Sequence, residues 1–198
     1  MLCVILMLTT LRIDMDTAKF QHFFDCCVGA WAAERTYHYL THQEVERSRT
    51  EFTVDPLTSP LKLKVLEDNR YPAPAQVEPL PGYQLSFSTL SEKGEAVSQT
   101  LRLLFVPQKT EDSLLKGAYL RDRAYEEARP IVSQFQFDNN SQELLMTTFY
   151  SRVVSVDSIV LINPGLRIRN ILNYRRPAEG KSLTDVVLVG FGVEQKTA

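Results

Sequence analysis

The chain has 198 residues, of which 44% are hydrophobic and 23% are charged, and its formal net charge at pH 7 is -2. This composition is typical of a globular protein with a full core, and the nearly balanced charge argues against a general nucleic-acid or anionic-membrane binder. An anion that this protein binds must therefore be held by a local group of residues.

The N-terminal stretch, residues 1–14, is apolar from Leu2 to Leu8 but lacks the basic start and the small-residue cleavage site of a signal peptide. It is also too short to span a bilayer. Met15 offers an alternative start. We therefore expect residues 1–14 to be a loose extension, residues 15–198 to form a single domain, and the protein not to be membrane-bound.

A short amphipathic helix is predicted from Asp16 to Cys27, where apolar residues recur at spacings of three and four and so share one helix face. Gly29 ends it, as glycine commonly does at a helix C-terminus. We expect the helix to plug or cap the domain that follows. The residues of its apolar face are Phe20, Phe23, Phe24 and Cys27.

Strands are predicted after residue 30, because apolar residues there recur at every second position and no longer at every third or fourth. These segments are also rich in β-forming residues. Prolines between residues 56 and 81 leave room for only a short element from Leu61 to Leu66. The segment from Glu111 to Arg129 is the least strand-like, and its Gly117 and charged patch RDRAYEEAR predict a turn and an irregular or helical excursion. A turn at residues 163–165 divides the last long run. The predicted strand segments are residues 31–40, 46–57, 82–90, 97–107, 131–138, 142–177 and 183–194.

About eight to ten short strands with turns roughly every ten residues indicate a sandwich or an up-and-down barrel. Arg35 shares its predicted strand face with aromatic residues, and Arg167 shares a face with Arg169. A sandwich core would require apolar inward faces, whereas a barrel of this size can enclose one small ligand. We therefore predict a mainly β protein, an antiparallel up-and-down barrel that holds a ligand.

Alternation alone leaves the direction of these arginines open. Arg167 and Arg169 either face solvent or project into a cavity, where guanidinium groups grip carboxylates through forked hydrogen bonds. Arg35 is either a surface residue or a guanidinium stacked among aromatic rings.

Other catalytic chemistries have little support in the sequence. His38 and His42 lie four residues apart without a third ligand, so no metal site is predicted. No nucleophile elbow, phosphate loop or dinucleotide-binding motif is present. The three cysteines, of which Cys26 and Cys27 are adjacent, indicate a reducing compartment rather than a disulfide framework.

Three stretches, in order along the chain, resemble motifs of the S/U-type phycobiliprotein lyases. They are GAWAAERTYHYL, GAYLRDRAYEEARP and NPGLRIRN. The matching positions are Gly29, Trp31, Arg35, Thr36, His38 and Leu40 in the first, Gly117, Arg121, Tyr125 and Pro130 in the second, and Pro164, Leu166, Arg167 and Arg169 in the third.

The resemblance implies a lipocalin-like barrel, similar to the fatty-acid-binding proteins, with an N-terminal helix near its mouth. It implies a lyase that takes a phycobilin, such as phycocyanobilin or phycoerythrobilin, as substrate and attaches it by a thioether to a cysteine of an apo-phycobiliprotein subunit of the phycobilisome. The nucleophilic cysteine then belongs to the acceptor, and no cofactor or metal is expected. The working unit is expected to be this chain alone or a homo- or heterodimer with a sister lyase subunit, in a cyanobacterial cytoplasm or a plastid stroma.

The resemblance also assigns residues, with two departures from the family pattern. Phe87 stands where many members carry tryptophan, and Asp157 stands where the family acid is usually glutamate. These departures imply an altered choice of bilin or a need for a partner subunit. The implied bilin-binding residues are Arg35, Phe87, Arg167 and Arg169, and the implied catalytic acids are Asp157 and Glu194.

Two other functions remain open from the sequence. One is a bilin carrier or chaperone without transferase activity. The other is a lipid-binding barrel of the fatty-acid-binding kind, whose paired arginines hold a fatty carboxylate.

Overall fold

Ten antiparallel strands form a closed barrel in the computed structural model, which describes residues 17–122 and 129–197. Strands that are neighbours around the barrel are also neighbours in the chain, and the first strand closes on the last. The predicted antiparallel up-and-down barrel is therefore confirmed. The strands are β1 Gly29–Tyr39, β2 Glu44–Pro56, β3 Gly82–Ser91, β4 Ala96–Glu111, β5 Leu114–Arg121, β6 Ile131–Asp138, β7 Glu143–Phe149, β8 Val153–Asn163, β9 Leu166–Arg175 and β10 Val186–Lys196.

Two helices accompany the barrel in the described part of the chain. The first, α1, covers residues 17–27, and the second, α2, covers Ser59–Asp68. The predicted N-terminal extension, residues 1–14, lies outside the described residues. Neither of these two helices has the length and apolar character needed to cross a membrane.

The apolar face of α1 closes one end of the barrel, as the sequence predicted. Phe20 is fully buried and stacks on Phe135 of β6, with ring centroids 5.0 Å apart. Phe24 stacks on Tyr83 of β3, with ring centroids 4.9 Å apart. Burial of each such side chain contributes roughly 1.5–3 kcal/mol. The interior next to α1 is therefore an aromatic core.

The second helix packs on the outside of the barrel. Val65 and Leu66 of α2 contact Leu104 of β4 and Leu120 of β5, which face outward on their strands. The prolines around this segment predicted a short element, and α2 has ten residues. This satellite core stabilises the wall of the barrel without entering its interior.

The structure corrects the first part of the irregular segment expected from Glu111 to Arg129, because Leu114–Arg121 forms strand β5. Residues 123–128 of that segment lie outside the described residues. The charged residues that suggested an excursion lie mostly at or beyond the end of this strand. Gly117, which suggested a turn, pairs with Pro107 where a bulge shifts the β4–β5 register. A glycine inside a strand often marks such a bulge and not a break.

The run from residue 142 to residue 177 is divided twice, not once. The predicted turn at Pro164 and Gly165 separates β8 from β9. A second break, at residues 150–152, separates β7 from β8. This second connection contains neither proline nor glycine, so no turn-forming residue marks it in the sequence.

Gly117→Ala is expected to lower the free energy of unfolding by about 1–3 kcal/mol. A β-carbon at this position would lie 2.2 Å from the carbonyl oxygen of Val106 and 2.7 Å from Cε1 of Phe135, so backbone would have to move. Gly165→Ala is the matched control, because its β-carbon would meet its nearest atom at 3.6 Å. Urea unfolding of both variants checks the prediction, and equal stabilities would contradict it.

Candidate functional site

Five charged side chains meet inside the barrel on four neighbouring strands, and we call them the interior charged cluster. The register explains their meeting: Glu194 of β10 pairs with Arg167 of β9, while Gly192 of β10 lies between Arg35 of β1 and Arg169 of β9. Alternation along the strands then turns these side chains to one face. The members of the cluster are Arg35, Asp157, Arg167, Arg169 and Glu194.

Glu194 is fully buried and bridges two arginines. Its Oε1 accepts a hydrogen bond from Nη2 of Arg35 at 3.0 Å, and its Oε2 accepts one from Nε of Arg167 at 2.5 Å. Burial raises the pKa of this carboxyl, but the charges of Arg167, Arg169 and Arg35 outweigh burial and hold the pKa at about 2. Both oxygens of Glu194 are therefore ionised acceptors that are already occupied.

Arg167 points into the barrel, which resolves the direction that the sequence left open. Only 8% of its side chain is exposed. Its guanidinium carbon lies 4.6 Å from the ring centroid of Trp31 and 5.1 Å from that of Phe52. Burial acts to lower the pKa of Arg167, but the charge of Glu194 opposes this and the pKa is raised overall. The guanidinium is thus a fixed cation held between two aromatic rings and a carboxylate.

Arg169 and Asp157 form the most accessible ion pair of the cluster. Oδ1 of Asp157 accepts from Nε of Arg169 at 3.2 Å and from Nη2 at 2.9 Å. The two side chains keep 24% and 18% of their surface exposed. Among the described residues, the other oxygen, Oδ2, has only a 3.5 Å contact from Oγ of Ser155. Oδ2 is therefore the carboxylate atom of the cluster that is best able to meet a ligand.

Two inward-facing glycines of β10 make room for the cluster. A β-carbon on Gly192 would lie 3.2 Å from Cγ of Arg35, and one on Gly190 would lie 2.9 Å from Cδ1 of Tyr37. The side chains of Arg35 and Tyr37 therefore lie across β10. Sequence reasoning did not single out these glycines, although their spacing puts both on the strand face of Glu194 and could have identified them.

Phe87 of β3 faces inward and is half-buried at the edge of the aromatic core. It pairs with Phe52 of β2, whose ring in turn contacts Arg167. The structure therefore connects Phe87 to the interior charged cluster through the ring of Phe52.

An open cleft of about 1020 Å³ lies on the side of the barrel formed by β1 to β4. Its lining includes Phe52 and Phe87, but also Thr53 and Ser86, which alternate with them and so face outward. The three arginines of the interior charged cluster do not line it. We therefore locate the candidate site by the cluster, because an anionic ligand needs cationic partners, and not by this cleft.

The two buried thiols of α1 have different surroundings. Cys26 and Cys27 are free and buried. Sγ of Cys26 lies 3.7 Å from Nε2 of His22 on the same helix. Burial raises the pKa of Cys27, although the nearby charge of Arg167 opposes the rise. A thiol whose pKa is raised is a poor nucleophile. The interior can therefore bind anions, stack conjugated rings and move a proton at Asp157, whereas the thiol beside the interior charged cluster is not activated.

A protein-family model described as "CpeS-like protein" matches residues 19–197. This chain belongs to the CpeS-like protein family. The CpeS-like chain is 59% identical over 178 residues to chromophore lyase CpcS/CpeS 1 of Synechococcus sp. (strain JA-3-3Ab), an alignment that covers 90% of this chain and 96% of the relative. It is 23% identical over 154 residues to the phycocyanobilin lyase subunit CpcS of a Picosynechococcus species, covering 77% of this chain and 76% of that one.

A solved structure shares the fold of this CpeS-like chain. The S-type phycobiliprotein lyase CPES from Guillardia theta superposes with a TM-score of 0.70 at 19% sequence identity, covering 90% of this chain and 93% of that one. The expected membership of the S/U-type lyases, and with it the expectation of an enzyme of the lyase class, is confirmed by these matches.

Proposed function

We propose that this CpeS-like chain is a chromophore lyase that binds a phycobilin inside its barrel and presents it to a cysteine of a phycobiliprotein subunit. The observation that carries the proposal is the interior charged cluster, which stands in a barrel together with an aromatic core. Such an interior suits a long conjugated ligand that also carries carboxylates. The family match supplies the reaction class.

The arginines of the cluster are proposed to hold propionate groups of the bilin. Arg169 has the most exposed guanidinium of the three, and Nε of Arg35 has no hydrogen-bond partner among the described residues. Both can add a charge-assisted hydrogen bond to a carboxylate without breaking their ion pairs. Arg167 is the most deeply buried and contributes a fixed positive charge behind them.

Asp157 is proposed to be the acid that serves the reaction. When the thiolate of an acceptor cysteine adds to the exocyclic double bond of a bilin, the electron pair moves into the pyrrole system and a proton must arrive there. Oδ2 of Asp157 faces the interior with few partners, whereas both oxygens of Glu194 are occupied by arginines. We therefore assign proton transfer to Asp157 and the positioning of Arg35 and Arg167 to Glu194.

The nucleophile is proposed to come from the acceptor protein, because Cys27, the thiol beside the interior charged cluster, is buried and has a raised pKa. The lyase then contributes binding, orientation and protonation rather than covalent catalysis. Holding the bilin in a stretched conformation would expose one end ring to the incoming cysteine. No cofactor is required by this scheme, and a reducing compartment, a cyanobacterial cytoplasm or a plastid stroma, would keep the acceptor thiol reduced.

A bilin titration tests the proposal directly. Purified protein is mixed with phycocyanobilin or phycoerythrobilin, alone and with a sister lyase subunit, and the absorption spectrum is recorded. A saturable red shift is expected, because a stretched, protonated bilin absorbs at longer wavelength than a coiled one. A fluorescent fatty acid should not compete. No spectral change with either bilin would contradict the proposal, and displacement of the fatty acid alone would identify a lipid-binding barrel instead.

A further inference from the structure

A buried arginine outside the interior charged cluster has no carboxylate partner among the residues that the structure describes. Arg121 lies at the end of β5, and 7% of its surface is exposed. Its Nη2 donates to the hydroxyl of Tyr150 at 2.7 Å, and its guanidinium carbon lies 5.5 Å from the ring centroids of Tyr119 and Tyr150. Its Nε has no hydrogen-bond partner among the described residues.

The missing counter-ion sets Arg121 apart from the arginines of the cluster. Glu194 pairs with Arg35 and Arg167, and Asp157 pairs with Arg169, whereas no described carboxylate lies within ion-pair distance of Arg121. Taking a cation out of water without pairing it costs several kcal/mol. A bound anion would supply the missing counter-ion and so offset this cost.

Arg121 nevertheless shares its interior space with the cluster. Tyr119 of β5 packs under the guanidinium of Arg121, 5.5 Å from ring centroid to guanidinium carbon. Burial raises the pKa of its hydroxyl to about 12, while the charge of Arg121 lowers that pKa and the charge of Asp157 raises it. The charge of Asp157 therefore acts on the same tyrosine that Arg121 contacts. A ligand that contacts Asp157 is within reach of Arg121.

A second unpartnered donor stands beside Arg121. Ser133 of β6 is 3% exposed, and its Oγ has no hydrogen-bond partner among the described residues. It pairs with Tyr119 in the β5–β6 ladder, so it is the diagonal neighbour of Arg121 on the inward face. A guanidinium N–H and a hydroxyl that face one space supply two donors for a single carboxylate.

We propose that Arg121 and Ser133 form a second carboxylate-binding subsite, which takes one propionate of the bilin while the other is held at Arg169. This inference rests on the proposed function. The two anchors stand on β5 and β9, four strands apart around the barrel, with Asp157 of β8 between them. Occupation of both anchors stretches the tetrapyrrole across the interior and sets its pyrrole nitrogens beside the acid.

Titration of Arg121→Gln with phycocyanobilin and with its dimethyl ester tests the subsite. The affinity for the free diacid is expected to fall by roughly ten- to one-hundredfold, the effect of one hydrogen bond to a charged group. The affinity for the diester, whose carboxylates are masked, is expected to stay unchanged. The ligand-free variant is expected to melt no lower than the wild type, because an uncompensated buried charge has been removed. A purely structural arginine would instead lower the melting temperature and leave the preference for the diacid intact.

Arg175→Gln is the matched control, because Arg175 is an exposed arginine that pairs with Asp185 at the end of β9. It should keep the wild-type preference for diacid over diester. Ser133→Ala is the second variant, and it tests the subsite if Arg121→Gln does not fold. It should lower the diacid affinity by roughly three- to tenfold.

An unchanged ratio of diacid to diester affinity in Arg121→Gln, or in Ser133→Ala if the arginine variant does not fold, overturns the subsite and leaves the proposed bilin binding intact. Wild-type protein that binds neither compound overturns the proposed function, and the subsite with it. The two failures are therefore distinguishable in one set of titrations.

Discussion

Asp157→Asn is expected to slow transfer of the bilin to an apo-phycobiliprotein by about a hundredfold or more, the usual contribution of a positioned acid. Asparagine has nearly the same shape and can still accept from Arg169 through its amide oxygen, so bilin binding should stay nearly intact. It cannot donate a carboxylic proton to the pyrrole system. The measurement is the rate at which pigment becomes resistant to acid-urea extraction, that is, linked to the acceptor by a thioether.

Asp185→Asn is the control for this prediction. Asp185 also pairs with an arginine, but its side chain is 59% exposed and it precedes β10 in the chain. Its replacement should leave transfer at the wild-type rate. Unchanged transfer by Asp157→Asn would remove the acid role from Asp157. Pigment that binds the wild-type protein but never becomes covalently attached to the acceptor would show that the chain is a bilin carrier.

Glu194→Gln is expected to lower the free energy of unfolding by about 3–5 kcal/mol, because it leaves two buried arginines without their counter-ion. For a protein of this size the loss corresponds to a fall in melting temperature of roughly 6–20 °C. Glu51→Gln is the control: its side chain is 72% exposed and lies 3.7 Å from Arg49. It should stay within about 0.5 kcal/mol of wild type. Urea unfolding at pH 7 separates the two variants, and equal stabilities would contradict the prediction.

The lowered pKa of Glu194 also predicts how the free energy of unfolding depends on pH. The ordinary pKa of a glutamate is 4.5, and that of Glu194 in the folded protein is about 2. A lowered folded-state pKa stabilises the fold fully above pH 4.5, and this stabilisation is lost as the pH falls towards 2. The wild type should therefore lose about 3 kcal/mol more than Glu194→Gln over that interval. If the free energy of unfolding of the two proteins changed with pH in parallel, the pKa of Glu194 would not be lowered by folding.

Much of the architecture follows from the sequence by itself. The alternation of apolar and polar residues defines strands because successive side chains point to opposite faces, and the phenylalanines of α1 repeat with the helical period. These local patterns predicted a barrel with a plugging helix, and ordered motifs around Arg35 and Arg167 predicted the family. Local pattern misled at Gly117, where a bulge and a turn favour the same residue, and it missed the break at residues 150–152, which no turn-forming residue marks.

The tertiary structure alone decided the direction and the partners of the charged residues. Alternation divides a strand into two faces, but it cannot say which face is inside until the sheet closes. Arg35 and Glu194 are 159 residues apart, and they meet only because β1 closes on β10. Closure also decides which buried cations find a carboxylate and which, like Arg121, do not. The sequence therefore determined the strands and the residue types of the site, whereas barrel closure determined which charges are paired, because pairing depends on distances between strands that no local pattern encodes.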